Sequence, residues 1–156
     1  AFNDKIADYA IKHQKFGGQD YSFNRMTWIK PNFLWMMYRS GWAEKDSNQN
    51  RILAIEMTFE GFEELLSEGV LTSYDKSFGD EQIWREKLNN SNVRIQWDPD
   101  HDFKGEKLKR RAVQIGIKND ALQKFNNKFI KSIQDITNFV KEQKNKNICR
   151  SSLIDF

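Results

Sequence analysis

Apolar residues recur along this chain at two periods, and each period marks a kind of element. Ile6, Tyr9, Ala10 and His13 fall on one helical face behind Asn3, a capping residue, so a helix is expected over 4–15, stopped by Gly17-Gly18. Strict alternation occurs three times. Leu53, Ile55, Met57 and Phe59 share one face of a strand expected over 51–59. Val93, Ile95 and Trp97 alternate with Arg94, Gln96 and Asp98 in a strand that Pro99 is expected to end. Val113, Ile115 and Ile117 alternate with Ala112, Gln114 and Gly116 over 110–117. The longest pattern runs from Asn119 to about 143. Leu122, Phe125, Phe129, Ile133, Ile136 and Val140 are spaced by threes and fours there, which predicts one long amphipathic helix.

Shorter stretches fill the gaps. Residues 25–30 read as extended, and Pro31 suits the first position of a helix over 31–39 that ends at Gly41. That helix is apolar all round, so burial on most sides is expected. Residues 43–50 form a polar loop. Phe62, Leu65 and Leu66 suit a short helix closed near Gly69, and Ile83, Trp84 and Leu88 a second one over 80–89. The order of elements predicts an α+β fold: a single compact domain over 1–145, with a small, mostly antiparallel sheet or sheets, a long C-terminal helix and a tail over 146–156.

Composition narrows the class. With 156 residues, twelve Phe and five Trp, the chain has enough aromatic surface to offset the entropy of ordering. Mean hydropathy is −0.79, and no apolar run reaches the length of a membrane span. The net charge of +3 is a weak pointer to a polyanionic partner. The one cysteine, Cys149, excludes an internal disulfide and suits the cytoplasm or another reducing compartment. One Cys and two His make a closed structural zinc site a poor fit, and no metal site is assigned. Glycines are scattered without a phosphate-cradling loop, and no nucleophile elbow, HExxH or Cys-His dyad occurs. The first residue is Ala1, and the expectation is that the chain begins inside a longer protein.

Candidate chemistry gathers in three segments. Residues 25–42 hold Trp28, Trp35 and Trp42 together with Arg25, Lys30 and Arg39, a mixture that neither a core nor an ordinary surface favours. If the strands are neighbours, Arg25, Trp28 and Lys30, Arg94, Gln96 and Asp98, and Arg111 and Gln114 form one polar patch. Guanidinium groups grip phosphate in pairs and an indole stacks on a base, so the patch suits a nucleotide or nucleic acid. Each residue also has a plainer reading. Trp28, Trp35 and Trp97 can be core, and Arg94 and Arg111 can pair with surface carboxylates. The stretch Asp98-Pro99-Asp100-His101-Asp102 reads first as an acidic turn, with divalent-metal binding as the alternative.

These residues resemble the domain-of-unknown-function family 4291. The resemblance is carried by RMTWIKPNFLWMMYRSG at Arg25 to Gly41, VRIQWDPDHD at Val93 to Asp102 and RAVQIGI at Arg111 to Ile117, and extends over essentially the whole chain. Asn92 departs from the family, which usually has proline there, and family members usually carry another strand-bearing segment before the position of Ala1. The order of elements is also similar to compact ADP-ribosyltransferase-like domains, which bind NAD between two small antiparallel sheets. By that analogy Gln114 takes the late-strand catalytic position and Trp28 or Tyr38 the middle one, with NAD as the candidate cofactor.

Three functions follow as expectations. The first is a nucleotide-dependent transferase in which Arg25, Lys30, Arg39, Arg94 and Arg111 hold phosphates, Trp28 or Trp97 stacks, Gln96 and Asp98 line the site, and Gln114 and Tyr38 act in catalysis. The second is a non-catalytic subunit that takes a protein partner at an open sheet edge. The third is an RNA- or DNA-binding module using the same patch and the basic run Lys104 to Arg111.

Overall fold

A computed structural model describes residues 1–152, with the side chains of 1–146. Six α-helices and six strands follow one another along it: α1 Asp4–His13, β1 Thr27–Ile29, α2 Phe33–Ser40, β2 Leu53–Met57, α3 Phe59–Ser67, β3 Val70–Leu71, α4 Glu81–Asn90, β4 Val93–His101, β5 Lys107–Ile117, α5 Asn119–Lys124, β6 Ile130–Asp135 and α6 Thr137–Ser152. Four strands form one sheet in the order β1-β5-β4-β3, antiparallel except for the parallel β3–β4 pair. β2 and β6 form a second, antiparallel sheet. The fold is α+β, as the alternation patterns predicted. Among the described residues no helix is long and apolar enough to cross a membrane.

Registers fix which side chains share a face. Residues directly opposite in an antiparallel pair point to the same side. Thr27, Ile29, Val93, Ile95, Val113, Ile115 and Ile117 therefore occupy one face of the four-stranded sheet. Val93, Ile115 and Ile117 on that face meet Ile133 of β6, Leu65 of α3, Leu122 of α5 and Phe125 in one core. Each such fully buried side chain contributes roughly 1.5–3 kcal/mol. A second cluster, Met37, Ala43, Ile52 and Val140, joins α2 to the start of β2 and to α6.

The largest departure from expectation lies after Asn119. One amphipathic helix was predicted there, but α5 gives way to a π-helical turn at Phe125–Phe129, then to β6, then to α6. Leu122, Phe125, Phe129, Ile133 and Val140 are all buried. The apolar positions are right and the helix is wrong, because spacings of three and four are also met when two helices flank a short strand. β6 supplies the backbone partner that β2 needs, and a continuous helix would leave β2 unpaired. Asn126 holds the break in place. Its amide donates to the Phe16 carbonyl at 3.0 Å and accepts from the Phe16 N–H at 2.7 Å, while buried at 6% exposure.

Other boundaries moved for local reasons. α1 stops at His13, ahead of Gly17-Gly18, because Gln14 takes a left-handed conformation at φ 54°. Its side chain then accepts from Ile133 N at 2.8 Å and donates to Ile133 O at 3.1 Å, acting as a substitute strand residue beside β6. α2 begins at Phe33, so Pro31 lies ahead of the helix, and Asn32 accepts from Val113 N at 3.2 Å to dock the helix start on β5. Phe33 and Tyr38 are exposed, so α2 is buried on fewer sides than predicted. Gly41 closes it at φ 56°, a conformation that costs glycine no Cβ clash. Phe59 leaves the strand pattern to open α3 and is exposed. β4 runs through Pro99 to His101, with a register shift after Pro99. α6 continues through Ser152 into the stretch expected as tail, whose remaining residues, 153–156, lie outside the described residues.

Candidate functional site

The other face of the four-stranded sheet is polar. Trp28 stands opposite Gly116, which stands opposite Arg94; Gln114 stands opposite Gln96, and Ala112 opposite Asp98. The absence of a side chain at position 116 makes room for the indole. A Cβ there would come within 2.9 Å of the Trp28 ring and 2.6 Å of Met26 Sδ. Trp28 thus lies across β5 in the direction of Arg94.

Asp98 organises the middle of this face. Its carboxylate accepts from Gln114 Nε2 at 2.8 Å and from Gln96 Nε2 at 3.1 Å. Both glutamines spend their donors on Asp98, which leaves their carbonyl oxygens for a ligand. Lys30 extends β1 toward the same place. Its ammonium donates to the Trp28 carbonyl at 3.3 Å. Burial lowers its pKa to about 8, Arg39 adds repulsion and Asp98 opposes the shift.

α2 walls one end of the face. Trp35, Tyr38 and Arg39 fall at i, i+3 and i+4, on one side of the helix. The Tyr38 ring stacks on His101 of β4 with centroids 3.6 Å apart and an interplanar angle of 8°, which turns that side toward β4. His101 is buried, and both of its ring nitrogens lack a hydrogen-bond partner. At the opposite end α4 approaches, and its Leu88 carbonyl lies 3.4 Å from Arg94 Nη2. Arg94 Nε is buried without a partner. Among the described residues, none of Lys30, Arg39 and Arg94 forms an ion pair. Lys30 and Arg94 thus lie along the polar face and Arg39 on the helix at its end, and the acid of the face, Asp98, is already engaged by two amides.

The structure therefore brings together Trp28, Lys30, Arg39, Arg94, Gln96, Asp98 and Gln114, with Tyr38 at the margin. It separates three other candidates. Trp97 and Arg111 lie on the opposite face, with Val113, because their positions in β4 and β5 have the other parity. Trp97 is half exposed there, and Arg111 donates to its carbonyl at 2.7 Å. Arg25 sits exposed in the turn before β1, at the end of the strand away from Lys30.

The acidic stretch is not a turn as a whole. Asp98 and Asp100 are strand residues. Asp100, 2% exposed, pairs with Arg110 at 2.7 Å, and only Asp102 caps a turn, accepting from the Lys104 and Glu106 N–H groups. Among the described residues no group of His, Cys, Asp and Glu could hold a metal ion. The Tyr38–His101 stack escaped the sequence reading because it joins a helix to a strand far away in sequence.

A cavity of about 380 Å³ lies along the outer edge of β1. It is lined by the consecutive residues Thr27 to Lys30 on one side and Leu53 to Ile55 on the other, so the unpaired edges of β1 and β2 face each other across it. Its lining is mostly apolar, and Lys30 is its one basic side chain.

No curated protein and no solved structure matches the chain. One family model does, over residues 1–152, and its description is Domain of unknown function (DUF4291). That match takes in β1, α2, β4 and β5, which carry the polar face, and the chain belongs to this family.

Proposed function

We propose that the polar face of β1, β5 and β4 binds a nucleotide, with NAD the first candidate, and that the protein is a nucleotide-dependent transferase. One observation carries this reading: Lys30, Arg39 and Arg94, none of them ion-paired among the described residues, gather along one face and at its end, with the Trp28 ring and the Gln96–Asp98–Gln114 cluster. Phosphates would sit against the cations, where charge-assisted hydrogen bonds are strongest. The Trp28 ring would stack on the base or the nicotinamide. Gln114, its amide fixed by Asp98, would present its carbonyl oxygen to a ribose hydroxyl, and Tyr38 would close the far end. The fold has two small sheets, as the ADP-ribosyltransferase-like analogy supposes, but β2 and β6 pack against the opposite face of the four-stranded sheet.

Calorimetry with NAD, ATP and short single-stranded RNA tests it. Binding of NAD or ATP that weakens at least about ten-fold in Arg94→Met, the loss of one charged hydrogen bond, is the expected result. Absence of binding by any nucleotide at millimolar concentration would remove the reading. Tight binding of RNA alone, falling steeply with salt, would replace it with a nucleic-acid module.

A second reading has its own observation. The β1 and β2 edges face each other unpaired across an apolar gap, and unpaired edges invite another chain. The protein would then be a subunit of a larger assembly. Light scattering decides: a monomer at every concentration, with nucleotide bound, counts against this reading.

A further inference from the structure

Lys30 stands where two otherwise separate features meet. Its side chain borders the apolar cavity between β1 and β2, and its ammonium is close enough to Arg39 and Asp98 to feel both charges. Among the described residues it has no carboxylate within ion-pair distance, and its one hydrogen bond is to the Trp28 carbonyl, at 3.3 Å. Half-buried lysines are ordinarily paired or reach for solvent. A lysine placed against apolar surface with a second cation beside it loses the reasons to stay protonated, and both conditions activate an amine as a nucleophile.

We propose that Lys30 is a nucleophilic amine that condenses with the carbonyl carbon of a small anionic aldehyde. The neutral amine attacks through its lone pair, the carbonyl π electrons move to oxygen, and a carbinolamine forms. One N–H proton moves to that oxygen to give the carbinolamine hydroxyl, a proton from solvent lets the hydroxyl leave as water, and the protonated imine keeps the nitrogen's other hydrogen. The apolar cavity takes the aldehyde's carbon framework, while Arg39 attracts its anionic group. No oxidant or reductant enters this step. Two charged groups face the Lys30 amine: Arg39 from α2 and Asp98 from β4. Arg39 opposes its protonation and Asp98 favours it. The lowered Lys30 pKa, about 8, agrees with an amine partly neutral near physiological pH.

The inference uses the cations of the proposed nucleotide site but does not require a nucleotide. Its test uses pyridoxal 5′-phosphate as the probe. The intact protein is incubated with the probe between pH 6 and pH 10, reduced with borohydride, and mapped by mass spectrometry. Expected is Lys30 labelled about ten-fold or more faster than exposed lysines at neutral pH, with the rate rising through a midpoint near 8. Even labelling of surface lysines, or an unmodified Lys30, overturns the proposal. Mapping is done on the unaltered chain, so a Lys30→Arg variant that failed to fold would not cloud the result. A parallel arm adds NAD or ATP. Labelling that nucleotide does not slow leaves Lys30 as a reactive amine and counts against the nucleotide reading. Nucleotide binding with an unreactive Lys30 does the reverse.

Discussion

Trp28 and Gly116 depend on each other. The indole lies over the one β5 position without a side chain, and its neighbours Arg94 and Gln114 flank that gap in register. A methyl at position 116 would stand within 2.9 Å of the ring and 2.6 Å of Met26 Sδ, tighter than packed atoms allow, so Trp28 must move. Gly116→Ala is therefore expected to weaken nucleotide binding about ten-fold or more while costing roughly 1–3 kcal/mol of stability by overpacking. Calorimetry paired with urea unfolding separates the two effects. Unchanged affinity in a folded variant would show that the ring's position is irrelevant to the ligand. At this scale the sequence was informative where strand parity could be counted. Arg94, Gln96, Asp98 and Gln114 were assigned to one patch by alternation, and they share one face. Chemistry groups Trp97 and Arg111 with them, although their parity places them opposite.

Among the elements, β6 and the turns around it were the least legible. Nothing in Ile130–Asp135 outweighs the helical spacing of its neighbours when read locally. The competing demand is tertiary: β2 needs a partner, and β6 pairs with it from Leu53↔Asp135 to Met57↔Ile130. Two side-chain amides make that arrangement specific. Gln14 completes the hydrogen bonds of Ile133, and Asn126 satisfies both backbone groups of Phe16 inside the core. A buried N–H and a buried C=O without partners cost about 1–3 kcal/mol each. Asn126→Ala should then destabilise the protein by about 2–5 kcal/mol, and Asn126→Asp should also be harmful because a carboxylate cannot donate to the Phe16 carbonyl. Chemical denaturation of both variants checks this. A cost below about 0.5 kcal/mol for Asn126→Ala, within the range of an ordinary surface substitution, would mean that the π turn does not depend on this amide.

Across the whole molecule, the early and late parts of the chain are tied together at Arg51. Its guanidinium reaches Asp4 at 3.1 Å and Asp8 at 3.0 Å on α1, and Asp135 at the end of β6 through Nε at 2.8 Å. Phe2 exchanges backbone hydrogen bonds with Arg51 beside this contact, so the segment before α1, β2 and β6 meet at one basic residue. Burial alone would raise the Asp135 pKa, but hydrogen bonds from the Thr137 hydroxyl and N–H, together with Arg51, hold it below the usual carboxylate value. Asp4 is lowered too, by hydrogen bonds from Asn50 and then Arg51. Both carboxyls bind their protons less readily in the folded chain than in the unfolded one, so the unfolded state takes up more protons in acid. Their stabilising contribution is complete well above the ordinary aspartate pKa of about 3.9 and fades as pH falls through the lower folded values. Arg51→Met keeps the aliphatic stem and removes the charge. The variant should melt at a lower temperature than the unaltered chain at pH 7, and the two should converge as pH falls through the lowered folded-state values and the carboxylates take up protons. Thermal melts followed by circular dichroism across that range measure the gap. A difference that stays constant with pH would assign the role of Arg51 to packing, and the electrostatic tie between α1 and β6 would have to be abandoned.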